Sequence, residues 1–180
     1  MGSRLMFILG GARSGKSQYA LQLAAESGKS VLFVATAEAG DEEMRDRITA
    51  HRLSRPQAWE TLEAPLLVGK AILESNPSGL VLVDCLTLLA SNVLGLFSEP
   101  YERQEYEAAL DEEIEGLLEA YRRTEAEWLV ISNEVGLGVV PATPAGRLYR
   151  DALGKANQRV AQEADEVVLM AAGIAMKIKG

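Results

Sequence analysis

Gly10-Gly11-Ala12-Arg13-Ser14-Gly15-Lys16-Ser17 is the stretch whose reading decides the fold. The run before it, Leu5-Met6-Phe7-Ile8-Leu9, is wholly apolar, and a helical pattern begins near Lys16. Strand, glycine-rich loop and helix in that order make a phosphate-binding P-loop. Glycines there let backbone N–H groups converge on phosphate oxygens with no Cβ in the way. The helix that follows points the positive end of its dipole at the same place. Lys16 then reaches the β- and γ-phosphates, and the Ser17 hydroxyl ligates Mg²⁺. Arg13, inside the loop, either touches phosphate or faces solvent. The expected ligand is a nucleoside triphosphate.

Working outward, the chain alternates short apolar runs with helical patterns. Ser30–Ala35, Leu80–Asp84, Trp128–Ser132 and Asp165–Ala171 read as strands, Ser30–Ala35 as one buried on both faces and Trp128–Ser132 as another of the buried type. Helices are expected over residues 18–26, from Asp41 toward Pro56, from Pro65 to Ser75, from Leu86 to Phe97, from Ser98 to Thr124, and from Ala145 to Ala164. Gln57–Ala64 reads as irregular or as a short strand, and Ile174–Lys179 as an edge strand after a break at Gly173. This alternation predicts an α/β fold with a mainly parallel central sheet and helices on both faces. Ligands of such sheets bind beyond the carboxyl ends of the strands. Gly10–Ser17, Thr36, Asp84, Asn133, Glu134 and Gly173 each follow a predicted strand, so they are expected to share one rim.

A chain of 180 residues suits one catalytic domain spanning 1–180. Its net charge is −8 and its pI near 4.8, which argues against a nucleic-acid backbone as partner. Eleven acids and three bases fall between Glu99 and Glu127, so the excess negative charge is local and reads as a solvated helix face. Cys85 is the single cysteine, which excludes an internal disulfide and a cysteine-based metal site. It lies in an apolar stretch and reads as buried and inert. No signal peptide and no membrane-spanning run is evident, so the expected location is the cytoplasm.

Chemistry then rests on few side chains. Asp84 closes its strand as a Walker-B acid does, able to hold Mg²⁺ beside Ser17 or merely to cap the next helix. Glu134, a second strand-end acid, can serve as a base, bind substrate or stand in solvent. Arg52 and Arg55 can meet a nucleotide or lie on a helix surface. His51 is the single histidine. It shares a helix face with Met44 and Ile48, which by itself describes a partly buried structural histidine. Zinc is excluded on ligand count. From the residues alone, the chain is a small Mg²⁺-dependent P-loop enzyme, a phosphotransferase.

The succession of motifs goes further. After Gly10–Ser17 come Val34-Ala35-Thr36-Ala37, then Asp41-Glu42-Glu43-Met44-Arg45-Asp46-Arg47-Ile48 with His51 and Arg52. Arg55-Pro56 leads to Trp59-Glu60-Thr61-Leu62-Glu63. Asp84-Cys85-Leu86-Thr87, Asn133-Glu134-Val135-Gly136-Leu137-Gly138-Val139-Val140-Pro141, Asn157-Gln158 and Ala164-Asp165-Glu166-Val167 follow. This series resembles the bifunctional adenosylcobinamide kinase/adenosylcobinamide-phosphate guanylyltransferase family of cobalamin synthesis. The resemblance implies a three-layer, RecA-like P-loop fold and a homotrimer. It implies phosphorylation of adenosylcobinamide, a large corrinoid, by ATP or GTP. Transfer of GMP from GTP to that phosphate follows, through a guanylyl-histidine at His51. It also implies nucleotide contacts at Gly10, Gly11, Ala12, Arg13, Ser14, Gly15, Lys16, Ser17, Ala35, Thr36, Ala37, Arg52, Leu53, Ser54, Arg55, Glu63 and Asp84. The competing readings are a small-molecule kinase with a structural His51, and a nucleotide-binding switch with no small-molecule acceptor.

Overall fold

A computed structural model describes residues 3–38 and 56–180. The expected helix from Asp41, with His51, Arg52, Leu53, Ser54 and Arg55, lies outside the described residues. Seven strands form one sheet: β1 (Leu5–Gly10), β2 (Val31–Ala35), β3 (Glu60–Glu63), β4 (Leu80–Asp84), β5 (Glu127–Asn133), β6 (Glu166–Ala171) and β7 (Ile174–Lys179). Five helices are described: α1 (Lys16–Glu26), α2 (Val68–Ser75), α3 (Leu86–Leu94), α4 (Arg103–Arg123) and α5 (Pro144–Glu163). The sheet order is β3-β2-β4-β5-β1-β6-β7. Every pairing is parallel except β6 with β7, which is an antiparallel hairpin. This is the expected α/β architecture.

Alternation along the strands divides the core in two. Leu5, Phe7, Leu32, Val34, Val81, Val83, Trp128 and Val130 face one way, onto α2, α3, α4 and α5. Ile8, Val31, Phe33, Leu80, Leu82, Leu129, Ile131 and Met170 face the other, where Ala20 and Ala24 of α1 meet them. Both faces of the central strands are therefore dry, which is why their sequences lack a polar-apolar alternation. β3 is different. It is an edge strand whose Glu60, Thr61 and Glu63 are exposed, and its sequence carried only a weak strand signal.

Two helix starts differ from expectation. Pro65 does not open α2. The chain stays extended through Ala64, whose N–H bonds Ala35 O at 2.9 Å, and the helix begins at Val68. Its cap residue Leu67 has φ 51° and offers no capping oxygen. Glu113 of α4 supplies it instead: Oε1 accepts the Leu67 N–H at 2.7 Å and Oε2 the Val68 N–H at 3.3 Å. Likewise α4 begins at Arg103 rather than near Ser98, with its cap residue Glu102 still extended at φ −84° and ψ 112°. α3 ends at Leu94, and the two turns closing on Leu96 and Phe97 account for the longer helical pattern.

Candidate functional site

The rim expected from the strand ends forms. β1 ends at Gly10, and its partner in register on β5 is Asn133. The Glu134 N–H then bonds Gly10 O at 3.1 Å, tying the loop after β5 to the start of the P-loop. From the other flank the β6–β7 hairpin tip reaches in: the Gly173 N–H bonds Ser14 O at 2.9 Å. A Cβ on Gly15 would lie 3.2 Å from Gly173 Cα, and one on Gly10 2.5 Å from Met170 O. Glycine at these places is therefore required by close backbone packing. Gly15, at φ 97°, hands the chain directly into α1.

Lys16 is 7% exposed, and Ser14 is buried beside it. The Lys16 ammonium donates to Gly11 O at 2.6 Å and lies 3.4 Å from Ser14 Oγ. Burial pushes its pKa below the usual lysine value, while the Asp84 carboxylate pulls it back up. Ser17 stands half-buried at the head of α1, and Asp84 half-buried at the end of β4. Gly11, Ala12 and Arg13 are exposed, with Arg13 at φ 56°.

Thr36, fully buried after β2, has its hydroxyl committed within the protein. Oγ1 accepts the Cys85 N–H and donates to the Cys85 carbonyl, each at 2.8 Å. Its own N–H bonds Asp84 O at 3.2 Å, and its carbonyl accepts Asn92 Nδ2 at 2.7 Å. Asn92 also donates to Pro65 O at 2.9 Å. Thr36 and Asn92 together hold the ends of β2, β3 and β4 in place. Ala35 is buried, Ala37 half-buried and Glu63 exposed at the tip of β3, level in register with Ala35 and Asp84.

Cys85 packs half-buried against the α1-side core. Desolvation, with the Asp84 charge beside it, pushes its thiol up to about 11, so it is protonated at neutral pH. Sequence reading assigned nothing to the network behind β5. Thr87 Oγ1 accepts the Asn133 N–H at 2.8 Å, Asn157 Nδ2 donates to Asn133 O at 3.0 Å, and the Tyr149 hydroxyl donates to Thr87 O at 2.9 Å. Those bonds fix the backbone at the strand end next to the P-loop. They span 24 to 62 positions, so no local pattern announces them.

Among the described residues no group of three or more histidine, cysteine or acidic side chains could hold a metal ion. Ser17 and Asp84 offer one hydroxyl and one carboxylate, hard oxygen donors from two elements. That pair fits Mg²⁺, which takes few protein ligands and completes its shell with water and substrate phosphate. No described helix is long and apolar enough to cross a membrane.

This geometry defines a P-loop α/β nucleotide-binding protein. A type III secretion ATPase shares the fold, with a TM-score of 0.59 at 11% identity over 97% of this chain and 58% of its own. Residues 6–178 match the family described as cobinamide kinase / cobinamide phosphate guanyltransferase, and the chain belongs to that family of enzymes. It is 45% identical to the bifunctional adenosylcobalamin biosynthesis protein CobP of Pseudomonas aeruginosa, over 96% of both chains. It is 39% identical to the corresponding CobU of Escherichia coli, over 97% of this chain and 99% of that one.

Proposed function

We propose that the chain carries out two successive reactions at one nucleotide site. In the first, the γ-phosphoryl group of ATP or GTP passes to the hydroxyl of adenosylcobinamide. In the second, the GMP unit of GTP passes to the resulting phosphate, giving adenosylcobinamide-GDP and pyrophosphate. The observation that carries this reading is the P-loop, built and closed on both flanks, with Asp84 at the end of β4 near enough for its charge to act on Lys16.

The residues divide the work. P-loop N–H groups and Lys16 hold the β- and γ-phosphates, the ammonium exchanging Gly11 O for phosphate oxygen. Ser17 and Asp84 would hold Mg²⁺. Bound there, the cation offsets charge on the phosphates. Ala35, Ala37, Glu63 and the stretch 52–55 contact the guanine nucleotide, and Thr36 shapes that wall through Cys85. In the second reaction a neutral His51 nitrogen attacks the α-phosphorus and pyrophosphate leaves with the bonding electron pair. The phosphoramidate then donates GMP to the corrinoid phosphate. We further propose a cytoplasmic homotrimer with residues 1–180 as one catalytic domain.

The test is incubation with α-labelled GTP and Mg²⁺ without acceptor. Label is expected on the protein, stable to alkali and lost in acid, and absent from His51→Ala. An unlabelled wild type, or equal labelling of the variant, rules out the histidine intermediate.

A further inference from the structure

The two proposed reactions differ in one proton. In γ-phosphoryl transfer the acceptor is a neutral hydroxyl. Its oxygen bonds to the γ-phosphorus, the bond from that phosphorus to the bridging oxygen breaks, and the electron pair leaves with the nucleoside diphosphate. The hydroxyl proton needs a destination. In guanylyl transfer the acceptor is a phosphate, ionised near pH 8 because its second pKa is about 6. Its oxygen bonds to the α-phosphorus and the P–N pair returns to the imidazole, with no hydroxyl proton released. A proton acceptor on an enzyme doing both would therefore serve only the first.

Strand order shows where that acceptor sits. Neighbouring strands are about 4.8 Å apart. Among the described residues the acids at or beyond strand ends on this rim are Glu38, Glu63, Asp84 and Glu134. β3, which ends at Glu63, is four strand positions from β1, about 19 Å. β2, which precedes Glu38, is three positions away, and β4, which ends at Asp84, is two. β5 adjoins β1, between the P-loop strand and the strand of Asp84. That is the interval in which a γ-phosphate held by Lys16 and flanked by Asp84 must lie.

Glu134 is placed there firmly. Its N–H is bonded to Gly10 O, and Asn133 before it is held by Thr87 and Asn157. Its Oε1 accepts the Gly136 N–H at 2.5 Å, which orients the carboxylate. Oε2 has no hydrogen bond among the described residues. One oxygen anchored and one open is the arrangement a proton acceptor needs. The residue is half-buried and is followed by an exposed loop bearing Leu137, Val139 and Val140.

We propose that the Glu134 carboxylate takes the proton of the acceptor hydroxyl during γ-phosphoryl transfer and has no part in guanylyl transfer. The inference rests on the two-reaction reading above. Glu134→Gln keeps an oxygen for the Gly136 N–H and removes the base. Kinase turnover with adenosylcobinamide and ATP should fall about 10²–10³-fold. Self-labelling by α-labelled GTP at pH 8, and GMP transfer to adenosylcobinamide phosphate supplied ready-made, should stay within about twofold. Kinase turnover unchanged in Glu134→Gln overturns the proposal. So does a parallel fall in both reactions, which would make Glu134 a support for the P-loop backbone. A wild type that takes label yet transfers no γ-phosphate overturns the kinase reading itself, and with it the role of Glu134.

Discussion

Thr36 is a residue whose sequence context and bonding point to different tasks. Its place after β2 marks it as part of the nucleotide wall, yet its hydroxyl is wholly engaged by the Cys85 peptide groups. Replacing it with Val keeps the shape and removes both bonds, leaving the Cys85 N–H without its partner while Cys85 O keeps the Leu89 N–H at 3.2 Å. Thr36→Val should lower unfolding stability by about 1–3 kcal/mol, read as a lower urea midpoint at unchanged slope. If stability is unchanged, the clamp between β2 and β4 is not supporting the rim. That Lys16 and Ser17 would open α1 and Asp84 would close its strand was legible in the sequence because a glycine-rich loop and a strand-end acid are local patterns. The Thr36–Cys85 bond joins residues 49 positions apart, and Asn92 reaches Thr36 across 56. No window along the chain contains both partners.

At the scale of elements, the central strands were readable because each is apolar on both faces. The start of α2 was not, because its cap is the side chain of Glu113, which lies on α4. The same helix pair makes a closer demand. A Cβ on Gly69 would fall 2.0 Å from Gly116 O, so α2 and α4 cross with backbone almost touching backbone. Gly69→Ala forces the helices apart along a seam that includes the buried Val68 and Ile72. A loss near the top of the 1–3 kcal/mol range for overpacking is expected in chemical denaturation. Gly116→Ala meets nothing within 4 Å and serves as the control. A Gly69→Ala protein as stable as the control would mean that the crossing is looser than described. The acidic run also resolves here. The expectation of a solvated face holds for the exposed acids, but Glu107 bonds Lys155, while Asp111 and Glu115 pair with Arg159, fastening α4 to α5. Those cations are on another helix, so the sequence of α4 alone showed only its charge.

Across the whole molecule, the P-loop is held by partners from the C-terminal half of the chain. Gly10 is tied to β5, Ser14 to the β6–β7 tip, and Lys16 to the loop's own Gly11 carbonyl. On the proposed reading, nucleotide binding replaces that internal Lys16 bond with phosphate contacts and should stabilise the folded chain selectively. A ligand at 100 times its Kd adds about 2.7 kcal/mol. For a chain of this size, that corresponds to a Tm rise of roughly 5–10 °C. The rise should appear with GTP and Mg²⁺ and shrink when a chelator removes the cation, because on the proposed reading the Asp84 carboxylate then repels the phosphates and Ser17 loses its link to them. In Lys16→Ala it should be nearly abolished at the same GTP concentration, whatever the variant's own Tm. The comparison is therefore between shifts, measured by differential scanning calorimetry with and without ligand. An equal shift in wild type and Lys16→Ala would mean that the triphosphate is held elsewhere, and the loop of residues 10–17 would lose its place at the centre of the chemistry.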